Sequence, residues 1–260
     1  MSGADTSVAL ASGVFAGMLG GFLGIGGGVV MMPVLRFVFG LSPAVAAGTC
    51  VTAVTFTTMG GALKHHRLGN VAVEAVLPVI VGGGISVIVL SLIFPFFAKP
   101  GHDRWLDVGT GVVFSAISLR MIIEGLRGEE PDAAPPGTLP GSMWAKVAVG
   151  SAAGVMPGLL GIGTGALLVP VFVFILCAPM KTAVGSSLAC FLAFALLSST
   201  FKAVQGFVDF RLALPLCLGA LLGSGIGAWL TKRFRGGTLK VAFGMVFLWV
   251  STKYILLFFG

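Results

Sequence analysis

Gly17-Met-Leu-Gly-Gly-Phe-Leu-Gly-Ile-Gly-Gly-Gly-Val-Val-Met-Met-Pro-Val34 returns 137 positions later as Gly154-Val-Met-Pro-Gly-Leu-Leu-Gly-Ile-Gly-Thr-Gly-Ala-Leu-Leu-Val-Pro-Val171. Nine of the eighteen positions are identical, among them Gly24/Gly161, Gly26/Gly163, Gly28/Gly165 and Pro33/Pro170. Each copy interrupts a long apolar stretch at the same place. Matched glycine breaks in two halves of a membrane chain point to a transporter's binding site.

The likeness continues outward from the motif without a gap. Gly48-Thr49 aligns with Gly185-Ser186, Gly69 with Gly206, Val71 with Val208, Pro78 with Pro215 and Gly82 with Gly219. After a shift of four, Gly111 and Phe114 align with Gly244 and Phe247. Gene duplication explains a match of this length better than glycine enrichment does.

Composition sets the environment. The chain is 57% apolar and only 10% charged, with a mean hydropathy of +1.06; a soluble domain carries about 25% charged residues. Apolar segments fall near 8–39, 44–64, 71–98, 105–126, 143–177, 182–202, 208–231 and 238–259. The expected fold is all-α: a polytopic membrane protein of about eight transmembrane segments, built from a duplicated four-segment unit with glycine-broken helices. Residues 1–126 form the first repeat and 143–260 the second. Between them, 127–142 is rich in Pro, Gly and acid and reads as a polar linker. No positive charge or cleavage pattern precedes the first apolar stretch, so that stretch is expected to remain as a membrane element.

Segments 8–39 and 143–177 exceed one ordinary crossing. Thirty-two helical residues would reach about 48 Å, against a hydrocarbon core of about 30 Å. A break inside each makes two half-helices the expectation, with the unpaired backbone turned toward protein rather than lipid. If each long segment crosses once, the two halves share an orientation; if each doubles back, they are inverted. Under full crossing the loop cations divide six against eight, which gives no orientation.

Chemistry concentrates at the breaks. Helices starting after Gly28 and Gly165 would aim free N–H groups inward, where partial positive charge holds an anion without a basic side chain. Gly24, Gly26, Gly27 and Gly28, with Gly161, Gly163, Thr164 and Gly165, are therefore candidate substrate ligands. So are the matched polar steps that follow, Thr49-Cys50 and Ser186-Ser187. Lys202 stands in an otherwise uncharged stretch, with Gln205 one turn on, and an intramembrane charge is a functional candidate by default. Lys64, His65, His66 and Arg67 lie at a segment end and read as interfacial. Cys50, Cys177, Cys190 and Cys217 read as small packing residues, since no CxxC spacing suggests a disulfide or metal site. No strand precedes Gly24-Ile-Gly-Gly-Gly28 and no Gly-Lys-Ser/Thr follows, which argues against nucleotide binding. The chain presents no acid–base pair or metal spacing adequate for an enzyme, and no cofactor is expected.

The Gly-Gly-x-x-Gly-x-Gly-Gly-Gly type of motif followed by Pro, a Gly-Thr/Ser-Ser step and a Gly-x-Val-Asp segment together resemble the sulfite exporter TauE/SafE family. The resemblance rests on Gly21, Gly24, Gly26, Gly27 and Gly28 and on Gly158, Gly161, Gly163 and Gly165, and it spans nearly the whole chain. Gly185-Ser-Ser187 and Gly206-Phe-Val-Asp209 fit in the second half; the first half departs, with Cys50 and with Gly69-Asn-Val-Ala72. The resemblance implies an eight-span permease of the bacterial inner membrane moving sulfite, sulfonates or related anions. Expected partners are that small anion and membrane lipids, with no nucleic acid; homo-oligomers are allowed. An anion channel and a non-transporting membrane subunit are the competing readings.

Overall fold

The computed structural model describes residues 3–97, 115–116, 118–127, 138–159 and 165–259. They form helices α1 (Gly3–Leu23), α2 (Gly28–Pro33), α3 (Pro43–Arg67), α4 (Val73–Phe97), α5 (118–127), α6 (Met143–Leu159), α7 (Gly165–Phe174), α8 (Met180–Val204), α9 (Phe210–Leu230) and α10 (Gly236–Phe259). A π-helical turn, Val34–Val38, extends α2 past Pro33. Among the described residues, five stretches are long and apolar enough to cross a membrane: Asp5–Leu23, Pro43–Arg67, Val73–Pro95, Met180–Val204 and Phe210–Arg233. This is a multi-pass helical membrane protein.

Local chemistry sets the helix ends. Pro43 opens α3 after Ser42, a position where its missing N–H costs nothing. Gly69 and Gly206, at φ 71° and 79°, leave α3 and α8 in the left-handed conformation that ends helices. Asp209 caps α9, its carboxylate accepting from Arg211 N (2.9 Å) and Leu212 N (3.3 Å). The counterpart, Ala72, carries no capping oxygen. The Gly-x-Val-Asp segment thus has a plain reading as a helix stop followed by a helix start.

Glycine seams join the halves. On α1, Gly13, Gly17 and Gly21 lie directly on Leu216, Ala220 and Ser224 of α9; on α6, Gly150, Gly154 and Gly158 lie on Val79, Gly83 and Leu90 of α4. In reverse, Gly219 of α9 meets Leu10 of α1, and Gly82 of α4 meets Val147 of α6. Adding 137 to the first-half member of these pairs, and subtracting it from the second-half member, converts one seam into the other apart from the last α6 contact. Spacing by four keeps the glycines on one helix face, and with lipid outside, close backbone contact is what holds such helices together. A side chain at Gly17 would collide with the Ala220 backbone.

The outer faces repeat as well. Leu77, Val81, Ile85, Val89 and Leu92 are exposed on α4, and Leu214, Leu218, Leu222, Ile226 and Trp229 on α9. Helical spacing gathers each set into a stripe suited to lipid.

The seams also give direction. Along α1 and α9 the contacting numbers rise together, so these helices run parallel. Along α3 and α8 they run oppositely: Thr52 pairs with Ser199 (2.9 Å) and Gly61 meets Leu188. After Leu23 the chain turns back, since Gly27 packs against Ala16 and Gly20 of α1. The segment 8–39 therefore doubles back. It is not two equal half-helices: α1 alone, at 21 residues, reaches about 31 Å. Only α2 with its π turn is short.

Candidate anion site at the helix breaks

Residues 24–27 break the first long segment where the glycine motif predicts it. The last bond of α1 is Gly24 N–H to Gly20 O (2.9 Å), and the first of α2 are Val30 and Met31 N–H to Gly27 O, each 3.1 Å. Gly24, Gly26 and Gly27 have φ of 79°, 73° and 75°, which side-chain-bearing residues rarely adopt. The N-terminus of α2 is buried near the middle of α3, where Cys50 Sγ donates to Gly28 O at 3.6 Å. Of the second break, Gly161, Gly163 and Thr164 lie outside the described residues; Gly165 is the first residue of α7.

The first break is filled by protein. Gly24 packs on Ser187, Val184 and Val169, and Gly26 lies under the ring of Phe191 beside Val54. Ser187 Oγ donates to Gly24 O (3.0 Å) and shares its proton with Val184 O (2.8 Å).

Thr49 and Ser186 are buried and perform one task in the two halves. Thr49 Oγ1 accepts from Asp209 N (2.9 Å), and Ser186 Oγ accepts from Ala72 N (3.0 Å). Each hydroxyl pins the turn that precedes a helix of the other half.

The strongest matched pair is one that residue-type reasoning misses. His65 is fully buried, not interfacial, and its Nε2 lies 3.0 Å from Gly21 O. A carbonyl only accepts, so Nε2 carries the proton. Nδ1 then accepts from Asn70 Nδ2 (3.2 Å), which describes a neutral ring with both nitrogens used. Lys202, also at 0% exposure, is the residue 137 positions on. Its ammonium donates to Pro157 O (3.0 Å), Gly158 O (3.1 Å) and Ser198 Oγ (3.0 Å), and lies 4.3 Å from the centroid of Phe94. Gly158 is Gly21 shifted by 137. His65 and Lys202 thus hold the carbonyl ends of α1 and α6 just before the breaks, where a helix leaves four acceptors unpaired and carries partial negative charge. The shift that aligns the glycines also aligns these two residues; His65 is hidden by the charged run around it.

The two differ in charge. No described carboxylate pairs with Lys202; the ion pairs among described residues join Glu124 to Arg120 and Lys240. Beside it, Gln205 Nε2 donates to Ser91 O (2.9 Å), while Gln205 Oε1 and Ser91 Oγ are buried with no hydrogen-bond partner. An unpaired buried polar atom is costly, so this corner holds unspent hydrogen-bonding capacity around a fixed cation.

Cys50, Cys190 and Cys217 are buried as small packing residues should be. Cys177 is not: it is exposed, at φ 46°, in the turn between α7 and α8.

Comparison with known proteins agrees with this architecture. The chain is 26% identical to the probable membrane transporter protein YunE of Bacillus subtilis over 94% of both chains. It is 28% identical to a probable membrane transporter protein of Xylella fastidiosa over 95% of this chain and 94% of that one. Sulfite exporter TauE/SafE family protein 1 of Arabidopsis thaliana is 31% identical over a shorter stretch, 43% of this chain and 25% of the plant protein. No solved structure matches. Residues 9–254 match the model of sulfite exporter TauE/SafE, and the chain belongs to that family of membrane transporters rather than to an enzyme family.

Proposed function

We propose that the protein carries small sulfur-containing anions, sulfite or organosulfonates, across the bacterial inner membrane by alternating access between its two halves. The halves act as an inverted repeat of four main segments each. The anion is held by backbone N–H groups at Gly24–Gly28 and Gly161–Gly165, within the field of Lys202. The observation that carries this reading is a fully buried lysine, with no described carboxylate beside it, bonded to the carbonyl end of α6 in a helical membrane bundle. A charge inside the membrane is expensive and marks a pathway. Packing of Phe191 and Ser187 over the first break describes the occluded side of the cycle; rocking of α8 would uncover it.

Movement of an anion outward is favoured by an inside-negative potential, by about 2.3 kcal/mol per charge per 100 mV. The test is flux of sulfite and of a sulfonate such as sulfoacetate into liposomes holding the purified protein. A carrier gives saturable flux that rises steeply with temperature. Unsaturable, weakly temperature-dependent flux would favour the channel reading, and no flux of either anion would leave a non-transporting subunit.

A further inference from the structure

We infer that the face of the bundle bearing the α3–α4 and α9–α10 turns is the cytoplasmic face, seated on anionic lipid headgroups. The directions of the helices assign the described turns to one of two faces. The face where α1 begins also holds the end of α2, the start of α3 and the α8–α9 turn. The opposite face holds the ends of α1 and α3 and the starts of α4, α6, α8 and α10.

The described cations divide unevenly between them. The second face carries Lys64 and Arg67 in the last turn of α3 and Lys232, Arg233 and Arg235 between α9 and α10; Lys146 and Lys181 lie in the first turns of α6 and α8 there. The first face carries Arg36 and Arg211. That is seven against two, before Arg127 and Lys240 are added to the larger side. Lys99, Arg104, Arg120 and Lys253, outside that tally, could not reverse it, and Lys202 belongs to the interior. Short cytoplasmic loops concentrate Lys and Arg, and each such residue near an anionic surface is worth about 1 kcal/mol. Among the described residues the acids divide evenly, Glu74 and Glu124 on the second face and Asp5 and Asp209 on the first, and Asp and Glu weigh little in setting orientation.

Side chains on the second face have the form an interface requires. Arg233 stacks on Trp229 with its guanidinium 4.8 Å from the ring centroid, and Trp229 and Lys64 border one shallow groove with Leu222 and Ile226. Trp144 opens α6 at 82% exposure. Amphipathic rings beside cations are the residues that settle at headgroup depth. The even split of the charges under full crossing disappears because each broken segment returns to its own side. The inference is independent of what the protein carries.

The chain supplies its own probe. Cys177, between α7 and α8 on the second face, is exposed, while the other three cysteines are buried. A membrane-impermeant maleimide should modify Cys177 in inside-out vesicles about tenfold faster than in intact spheroplasts, the contrast expected of one fixed orientation. In a Cys177→Ser background, Ser42→Cys, on the first face, should show the reverse. Alkaline phosphatase fused after residue 260 should be active, because α10 runs from the second face to the first. Modification of Cys177 from outside, equal modification from both sides, or an inactive phosphatase fusion would each overturn the assignment; if Cys177 resists the reagent throughout, the Ser42→Cys and fusion results decide it.

Discussion

The two halves of this molecule end their first long helix in the same way but with different chemistry. In one, neutral His65 gives a single hydrogen bond to Gly21 O; in the other, Lys202 gives three, two of them to Pro157 and Gly158. Geometry is shared, charge is not. The contrast teaches that holding a helix end needs only a donor; in the proposed cycle, charge at Lys202 is what the second half adds.

The sharpest way to break the comparison is at the glycines themselves. Gly26→Leu must both adopt φ 73° and displace the Phe191 ring, and Gly163→Leu alters the equivalent position. Each should abolish anion flux in liposomes. Normal flux from both, with folded protein, would remove the breaks from the pathway.

Next in size is removal of the two helix-end donors. Lys202→Met should lower flux by about 10–100-fold, the scale of a lost buried charge contact of about 1.4–2.8 kcal/mol. His65→Leu should cost flux less while lowering thermal stability by a comparable amount, since both remove a helix-end donor. Equal flux losses would mean that Lys202 acts only as a cap.

A finer test exchanges the residues. Lys202→His puts an imidazole, with a pKa of about 6.5 unperturbed, in place of an amine of about 10.4. Flux by this variant should therefore rise as pH falls through the range in which an imidazole gains its proton. A flat profile in the variant would show that charge at 202 is dispensable.

The smallest effect belongs to the matched hydroxyls. Thr49→Ala and Ser186→Ala each leave a backbone N–H of the opposite half unpaired, and each should destabilise the protein by about 1 kcal/mol, read as a lowered unfolding temperature in detergent. Equal losses with unchanged flux would make both structural. A flux loss in either would bring that hydroxyl to the anion.

Much of this was legible in the linear chain. The 137-residue shift locates the first break to the residue and anticipates that Thr49 and Ser186 share a role. It picks out Lys202 because a lysine among apolar residues is conspicuous. His65 escapes notice because Lys64, His66 and Arg67 around it give the whole run an interfacial look, although helical geometry points His65 inward and its neighbours out. The order of the chain also hides the return after Leu23. Segment length reports only that the stretch is too long to cross once, and glycine permits a reversal as readily as a kink.

Composition and repetition by themselves determined that this protein spans a membrane, that its first long segment breaks at glycine, and that the same motif returns in its second half. Those properties rest on transfer free energy and backbone freedom, which belong to residues one at a time or in short runs. Tertiary structure alone decided that each half leans on the other through α1–α9 and α4–α6, that α3 and α8 run oppositely, and that seven cations gather on one face against two on the other. Direction and side are relations between helices distant in sequence, fixed by which glycine faces allow backbones to touch.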